Sequence, residues 1–324
     1  MTAVSFNHQH LRRAAKDRLK RLYFHAYKTG ARMGVLVLPA HYYCSEPDII
    51  ELEHNVDLWA KPSQLPGIEV DLDAQLDRLR KVCLPFREEY GENEHYLKAA
   101  AEHYGPGFGF IEAQLLHAVV RYYQPIRILE VGSGISTYCF QQAVNATRAA
   151  GGRVADIVCV EPHPSAPLSH VAEAGAIRLI KEPVQRVAFE LFGNLSTNDI
   201  LFIDSSHVAK AGSDVDHIIL EILPRLSAGV LVHFHDIYFP YNYQRDLLET
   251  FLHSNETSLL RALLTQNGSF QILFCLSHLH YERPDDLKSL FPSYRPQVGW
   301  NGLRLRNADP NSHFPSSIWL QVTH

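Results

Sequence analysis

"RILEVGSGISTYCF", residues 127–140, decides the fold. Arg127 to Val131 is a short run of strand-forming residues interrupted by one acid, Glu130, and Gly132-Ser133-Gly134 turns it into a helix-forming segment. Strand, glycine turn and helix in that order open a βαβ unit. The glycines let a ligand approach the backbone, and the helix N-terminus offers free N–H groups. Outward from this stretch the alternation repeats. The pattern predicts strands over 126–131, 155–160, 176–180, 199–204 and 229–234, with helices over 111–123, 135–149, 166–174, 184–192 and 213–225. Apolar strands separated by amphipathic helices imply a parallel sheet covered on both faces, a doubly wound, Rossmann-like α/β domain. Helices over 243–253 and 256–266 follow, then strands at "SFQILFCL" and "SSIWLQV", with 278–316 a long excursion from the sheet.

The glycine turn lacks one element of the dinucleotide fingerprint: Thr137 stands where helix-on-strand packing wants Gly or Ala. The second strand ends in Glu161, an acid placed to accept hydrogen bonds from ribose hydroxyls. Glu130, just before the turn, would repel a pyrophosphate but favours a cationic or amino-acid-bearing ligand. S-adenosylmethionine, with its adenosine, sulfonium and α-amino group, matches both acids. The candidate cofactor residues are therefore Glu130, Gly132, Ser133, Gly134, Glu161 and Asp204. A nicotinamide-dependent dehydrogenase and a non-catalytic nucleoside-binding protein are the rival readings.

Strand four ends in Asp204, Ser205, Ser206 and His207, and strand five in His233, His235 and Asp236. Neighbouring strands lie about 4.8 Å apart and ligands sit outside their carboxyl ends, so these termini converge on one small volume. Two readings stand. Asp204, His207, His235 and Asp236 form a donor set that suits iron, manganese or zinc. Alternatively, His207 or His235 is a general base held by Asp204 or Asp236. Either way His207, His235 and Asp236 are the catalytic candidates, whereas His233, inside the apolar run, reads as packing. Tyr238, Tyr241 and Tyr243 follow strand five as pocket wall or core seal, and His41, Tyr42 and Tyr43 as an acceptor lid or surface packing.

"ILEVGSGIST", "CVEPHP", "DILFIDSSHVAKAGSDV", "LEILPRLSAGVLVHFHDI" and "FPYNY" together resemble the class I S-adenosylmethionine-dependent methyltransferases. More narrowly they resemble the bacterial methyltransferase domain 24 type, a similarity that extends to "LPAHYYCSEPD" and "GPGFGFIEAQ". The resemblance implies a seven-stranded sheet in the order 3-2-1-4-5-7-6 with strand seven antiparallel. It places Glu130, Gly132 and Gly134 beside the methionine part of the cofactor, Glu161 on the ribose, Asp204 closing the site, and Pro183 and Val184 beside the adenine, where the usual acid is missing. It implies methyl transfer to a small-molecule nucleophile, oxygen first. Transfer to nitrogen or carbon, or a metal-dependent reaction without methyl transfer, are the alternatives.

With 324 residues, 46% of them hydrophobic, the chain has enough apolar surface for a sizeable core. No apolar run nears the roughly 20 residues needed to cross a bilayer. Five dispersed cysteines without a CxxC pair and no signal-peptide pattern lead to the expectation of a cytoplasmic protein. The net charge of -5 is uneven: residues 1–32 hold eight Lys or Arg and one acid, so they carry +7 against -12 for the rest. Leu11, Ala15, Leu19, Leu22 and Ala26 fall at helical spacing, which predicts a basic amphipathic helix. Its stripe is expected to pack on its own domain or to pair two copies, with a membrane surface, nucleic acid or an import system as the other readings. No nucleic-acid partner is expected. Residues 1–100, including a helix with Leu72, Leu76, Leu79 and Val82 on one face, form an expected helical extension or lid, and 101–324 the methyltransferase domain, with "YGPGFGF" as the hinge.

Overall fold

Arg127–Val131 forms β1 at the middle of a seven-stranded sheet in the computed structural model, which describes residues 3–38, 41, 43–105 and 107–324, with side chains from residue 16 onward. Pro39, Tyr42 and the side chains of Leu11 and Ala15 lie outside the described residues. The chain divides after Val56 into two compact units, and the sheet belongs to the second.

The other strands are β2 (Asp156–Val160), β3 (Arg178–Ile180), β4 (Ile200–Ile203), β5 (Leu231–Phe234), β6 (Phe270–Cys275) and β7 (Ile318–Val322). Their order is β3-β2-β1-β4-β5-β7-β6, the order that the resemblance implies, and β7 runs antiparallel to both neighbours. β4 and β5 are buried throughout because both sheet faces are covered. Ile128, Ile200, Phe202 and Leu231 enter one core layer, and Leu129, Leu201, Ile203, Val232 and Phe234 the other.

Five helices matter for the site and its frame: α1 (Ala3–Arg32), α2 (Leu72–Cys83), α3 (Phe110–Tyr123), α4 (Ile135–Ala149) and α5 (Glu256–Leu264). Asp71 caps α2 by accepting the Ala74 N–H, and Leu76, Leu79 and Val82 are buried on its inner face. The same helix covers the open edge of β6: Arg78 donates to the Leu273 carbonyl at 2.8 Å, and Gln75 Oε1 accepts the Cys275 N–H at 2.9 Å. Side chains thus stand in for the missing neighbouring strand.

Three expected helices come out differently. Residues 243–253 form turns, because the Gln244 side chain donates to Asp246 and the Leu252 carbonyl and accepts the Ser254 N–H, tying the backbone into a loop. The 184–192 segment breaks into a tight turn, Val184–Arg186, and a single helical turn, Glu190–Gly193. The 213–225 helix widens over Ile218–Ile222, where the Leu223 N–H reaches back to Ile218, and tightens again at Pro224, which has no N–H to continue an α pattern. The 278–316 excursion contains helices Leu276–Glu282 and Pro284–Leu290 at its start and a hairpin of Gly299–Trp300 with Leu303–Arg304.

Candidate active site

The turn after β1 is shaped by its neighbours. Gly132 has φ +79, and a Cβ there would lie 1.8 Å from the Asp204 carbonyl oxygen, so both its backbone and its surroundings demand glycine. Gly134 is extended and lies under Tyr104 and Gly105. Glu130 is fully buried, and both of its oxygens point into the start of α4, accepting the Ser136 hydroxyl at 2.6 Å and the Thr137 hydroxyl at 2.5 Å. Thr137 also accepts the Gly134 N–H at 3.0 Å. Burial pushes the Glu130 carboxyl up to about 7 against the pull of those hydrogen bonds.

Beside this turn opens a cleft of about 330 Å³ whose wall includes Gly132, Glu161, Pro183, Val184, Asp204 and Asp214. Glu161 accepts the backbone N–H of Ser133 at 3.3 Å and of His163 at 2.7 Å, which fixes its carboxylate at the end of β2 with lone pairs to spare. Asp214 accepts the Ser206 N–H at 2.8 Å and the Ser206 hydroxyl, holding the turn after β4.

Asp204, His207, His235 and Asp236 do come together. His207 Nε2 lies 3.3 Å from Asp204 and 3.5 Å from Asp236, and His235 Nδ1 lies 3.6 Å and 3.5 Å from the same two carboxylates. Two carboxylates that the sequence reading missed complete the cluster. Glu256 at the start of α5 is 2.8 Å from His207 Nδ1, and Glu112 in α3 is 3.6 Å from His235 Nε2. Each imidazole therefore faces acids with both nitrogens. Burial opposes charge on His207, but hydrogen bonds to Asp204 and Glu256 and the Asp236 charge outweigh it and push the ring up to about 11. For His235, burial is outweighed by Asp204, Asp236 and Glu112, to about 10. Burial would raise Asp204, yet the two rings bring it below the usual carboxylate range. Both rings thus hold two protons at neutral pH.

Backbone and packing support the cluster. His207 (φ +59) and Asp236 (φ +53) both adopt the left-handed conformation, which turns their side chains back toward the strand ends. Ser316 joins the parts, donating its hydroxyl to Asp236 at 2.8 Å and its N–H to Glu112 at 2.7 Å. A Cβ on Gly109 would strike the Glu112 carboxylate at 1.7 Å, so glycine there leaves room for the acid. Glu112 was visible as a lone acid in the apolar run "GFIEAQLL"; Glu256, in "SNETS", gave no such signal. His233 is packing: it stacks on Phe202 at 3.9 Å with the Trp319 edge at 4.8 Å. Tyr238 stacks on Phe314, whereas Tyr241 and Tyr243 pack on one another, and Tyr243 donates to the Asn301 carbonyl. In the first unit, His41 and Tyr43 stack on each other at 5.3 Å.

Residues 129–237, which carry the glycine turn, Glu161, Asp204 and the strand-five end, match a family model described as a methyltransferase domain. These residues carry a methyltransferase domain. A curated relative from Archaeoglobus fulgidus, an uncharacterized protein, is 27% identical over 183 residues, which is 55% of this chain and 81% of the relative. Among solved structures, the O-methyltransferase TomG from Streptomyces achromogenes in complex with SAM is 14% identical. It aligns over 76% of this chain and 98% of its own, with a TM-score of 0.42. The SAH-bound methyltransferase PaMTH1 from Podospora anserina is 16% identical over 73% of this chain and 92% of its own, with a TM-score of 0.35. Likeness at these TM-scores says nothing about the acceptor.

The metal expectation for this methyltransferase domain needs revision. Among the described residues, no group of three or more His, Cys, Asp or Glu side chains is arranged to hold a metal ion. Iron, manganese or zinc at Asp204, His207, His235 and Asp236 is therefore not supported.

Proposed function

We propose that this methyltransferase alkylates an oxygen of a small-molecule acceptor, and that Asp236 takes up the acceptor's proton. The observation that carries the reading is the double position of Asp204, which lines the cofactor cleft and also lies between His207 and His235. When bound, S-adenosylmethionine supplies an electrophilic methyl on a positively charged sulfur. Glu161 accepts hydrogen bonds from the ribose, Pro183 and Val184 border the base, and the peptide at Gly132 faces the methionine part. Glu130 acts from beneath, through Ser136 and Thr137, by fixing the turn. With both imidazoles protonated, the proton acceptor has to be a carboxylate. Asp236 is the more exposed of the two central acids, 33% against 23% for Asp204. The imidazolium rings hold both carboxylates in place and offset their charge.

The test pairs one variant with one treatment. Asp236→Asn should lower kcat about 10²- to 10³-fold while leaving the affinity for S-adenosylhomocysteine, measured by calorimetry, nearly unchanged. Exhaustive chelation of the wild type should leave its rate intact. Full activity in Asp236→Asn, or a rate lost to chelator and restored by one transition metal, would overturn this assignment.

A further inference from the structure

The described part of α1 carries two rows. Leu19, Leu22, Tyr23, Ala26 and Tyr27 follow one another at helical spacing, and so do Arg18, Arg21, His25, Lys28 and Arg32, so these two rows lie on opposite sides, with Lys16 and Lys20 on the apolar side. The chain then reverses at Gly34 (φ +77). Val35 N–H donates to the Gly30 carbonyl at 2.9 Å, and the Tyr23 hydroxyl donates to the Val37 carbonyl at 2.8 Å. The reversal brings Leu38 beside Leu19, Tyr23, Phe24 and Tyr27 around an apolar trough of about 560 Å³, with Lys16 and Lys20 in its wall. Leu19 is 68% exposed, Leu22 63%, Leu36 62% and Val37 66%. So much apolar surface on one short segment marks an interaction site.

We propose that this segment binds an anionic lipid surface, with α1 lying in the plane of the interface. Residues 16–38 hold six Lys or Arg and a single acid, Asp17. A second copy of the chain would bring the same positive charge to the contact, whereas anionic headgroups bring the opposite sign. The apolar row argues against nucleic acid, whose phosphates are met by cationic and polar groups. Among the described residues no helix is long and apolar enough to cross a membrane, so the helix lies on the bilayer and does not span it. Leu19, Leu22 and Tyr23 enter the acyl boundary, and Lys16, Lys20 and Arg18 sit at the phosphate level.

Co-sedimentation of the full chain with phosphatidylcholine vesicles, with and without phosphatidylglycerol, tests this directly. Binding is expected only to the anionic vesicles and should fall as salt rises. Lys16→Gln with Lys20→Gln should weaken it about five-fold per charge, since each basic residue near the surface is worth about 1 kcal/mol. Leu19→Gln with Leu22→Gln, which keeps helix-forming residues, should abolish it. Calorimetric binding of S-adenosylhomocysteine should be the same in all variants, which separates lost docking from misfolding and from failure of the catalytic reading. The proposal is overturned if the wild type does not sediment with anionic vesicles. It is also overturned if light scattering shows a dimer that the Leu19→Gln, Leu22→Gln pair dissolves, or if duplex DNA displaces the vesicles at equal charge.

Discussion

At the scale of single residues the site is governed by acids far away in sequence. Glu256 is fully buried and faces His207, so it keeps the ring charged and fixes which nitrogen meets Asp204 and Asp236. Glu256→Gln preserves the shape but removes the charge. The His207 titration should move down, readable by NMR, and kcat should fall about 10²-fold with cofactor affinity unchanged. Loss of affinity without a change in the His207 titration would count against a positioning role. Glu130 gives a stability prediction. Its folded value near 7 lies above the ordinary carboxyl value of 4.5, so the fold prefers the protonated form. The stabilisation is complete below about pH 4.5 and is lost as pH rises through about 7, an effect of roughly 3 kcal/mol. Urea midpoints of Glu130→Gln should vary less between these pH values than those of the wild type; parallel curves would refute it. Neither Glu112 nor Glu256 was read as functional beforehand, because their partners are brought near only by tertiary folding.

At the scale of elements, the parallel strands were legible because each is mostly apolar and ends where a turn residue stands. The strand-end cluster was legible because β4 and β5 are neighbours, which brings Asp204 near His235. The loop at 243–253 was not legible. Its apolar spacing suits a helix, but Gln244 satisfies the backbone from its side chain, and no periodicity reports that. Thr137, read as a defect in a dinucleotide turn, proves to be a strut between Glu130 and Gly134. The turn itself is the element least tolerant of change. Gly132→Ala would place a methyl 1.8 Å from the Asp204 carbonyl at a left-handed φ. We expect a stability loss of about 3 kcal/mol or more and no measurable cofactor binding. A variant with wild-type melting and calorimetry would show that the turn and β4 move apart freely.

At the scale of the whole molecule, the strand order puts the groups proposed to hold the cofactor at the carboxyl ends of β1, β2, β3 and β4, so one ligand there would clamp four strands and the turns between them. Binding at such a place is linked to global unfolding, because the unfolded chain retains none of the cleft. At a concentration about 100 times its dissociation constant, S-adenosylhomocysteine should add about 2.7 kcal/mol of stability. For a unit of this size, at about 2–4 °C per kcal/mol, that corresponds to a rise in Tm of about 5–10 °C. NAD should give no shift, since Glu130 and Thr137 leave the turn without the pyrophosphate-binding pattern. Glu161→Ala should shrink the S-adenosylhomocysteine shift at equal concentration while hardly moving the Tm of the free protein, because Glu161 accepts only two local backbone N–H groups. An undiminished shift in Glu161→Ala would place the ribose elsewhere, and an NAD shift equal to that of S-adenosylhomocysteine would remove the argument from Glu130.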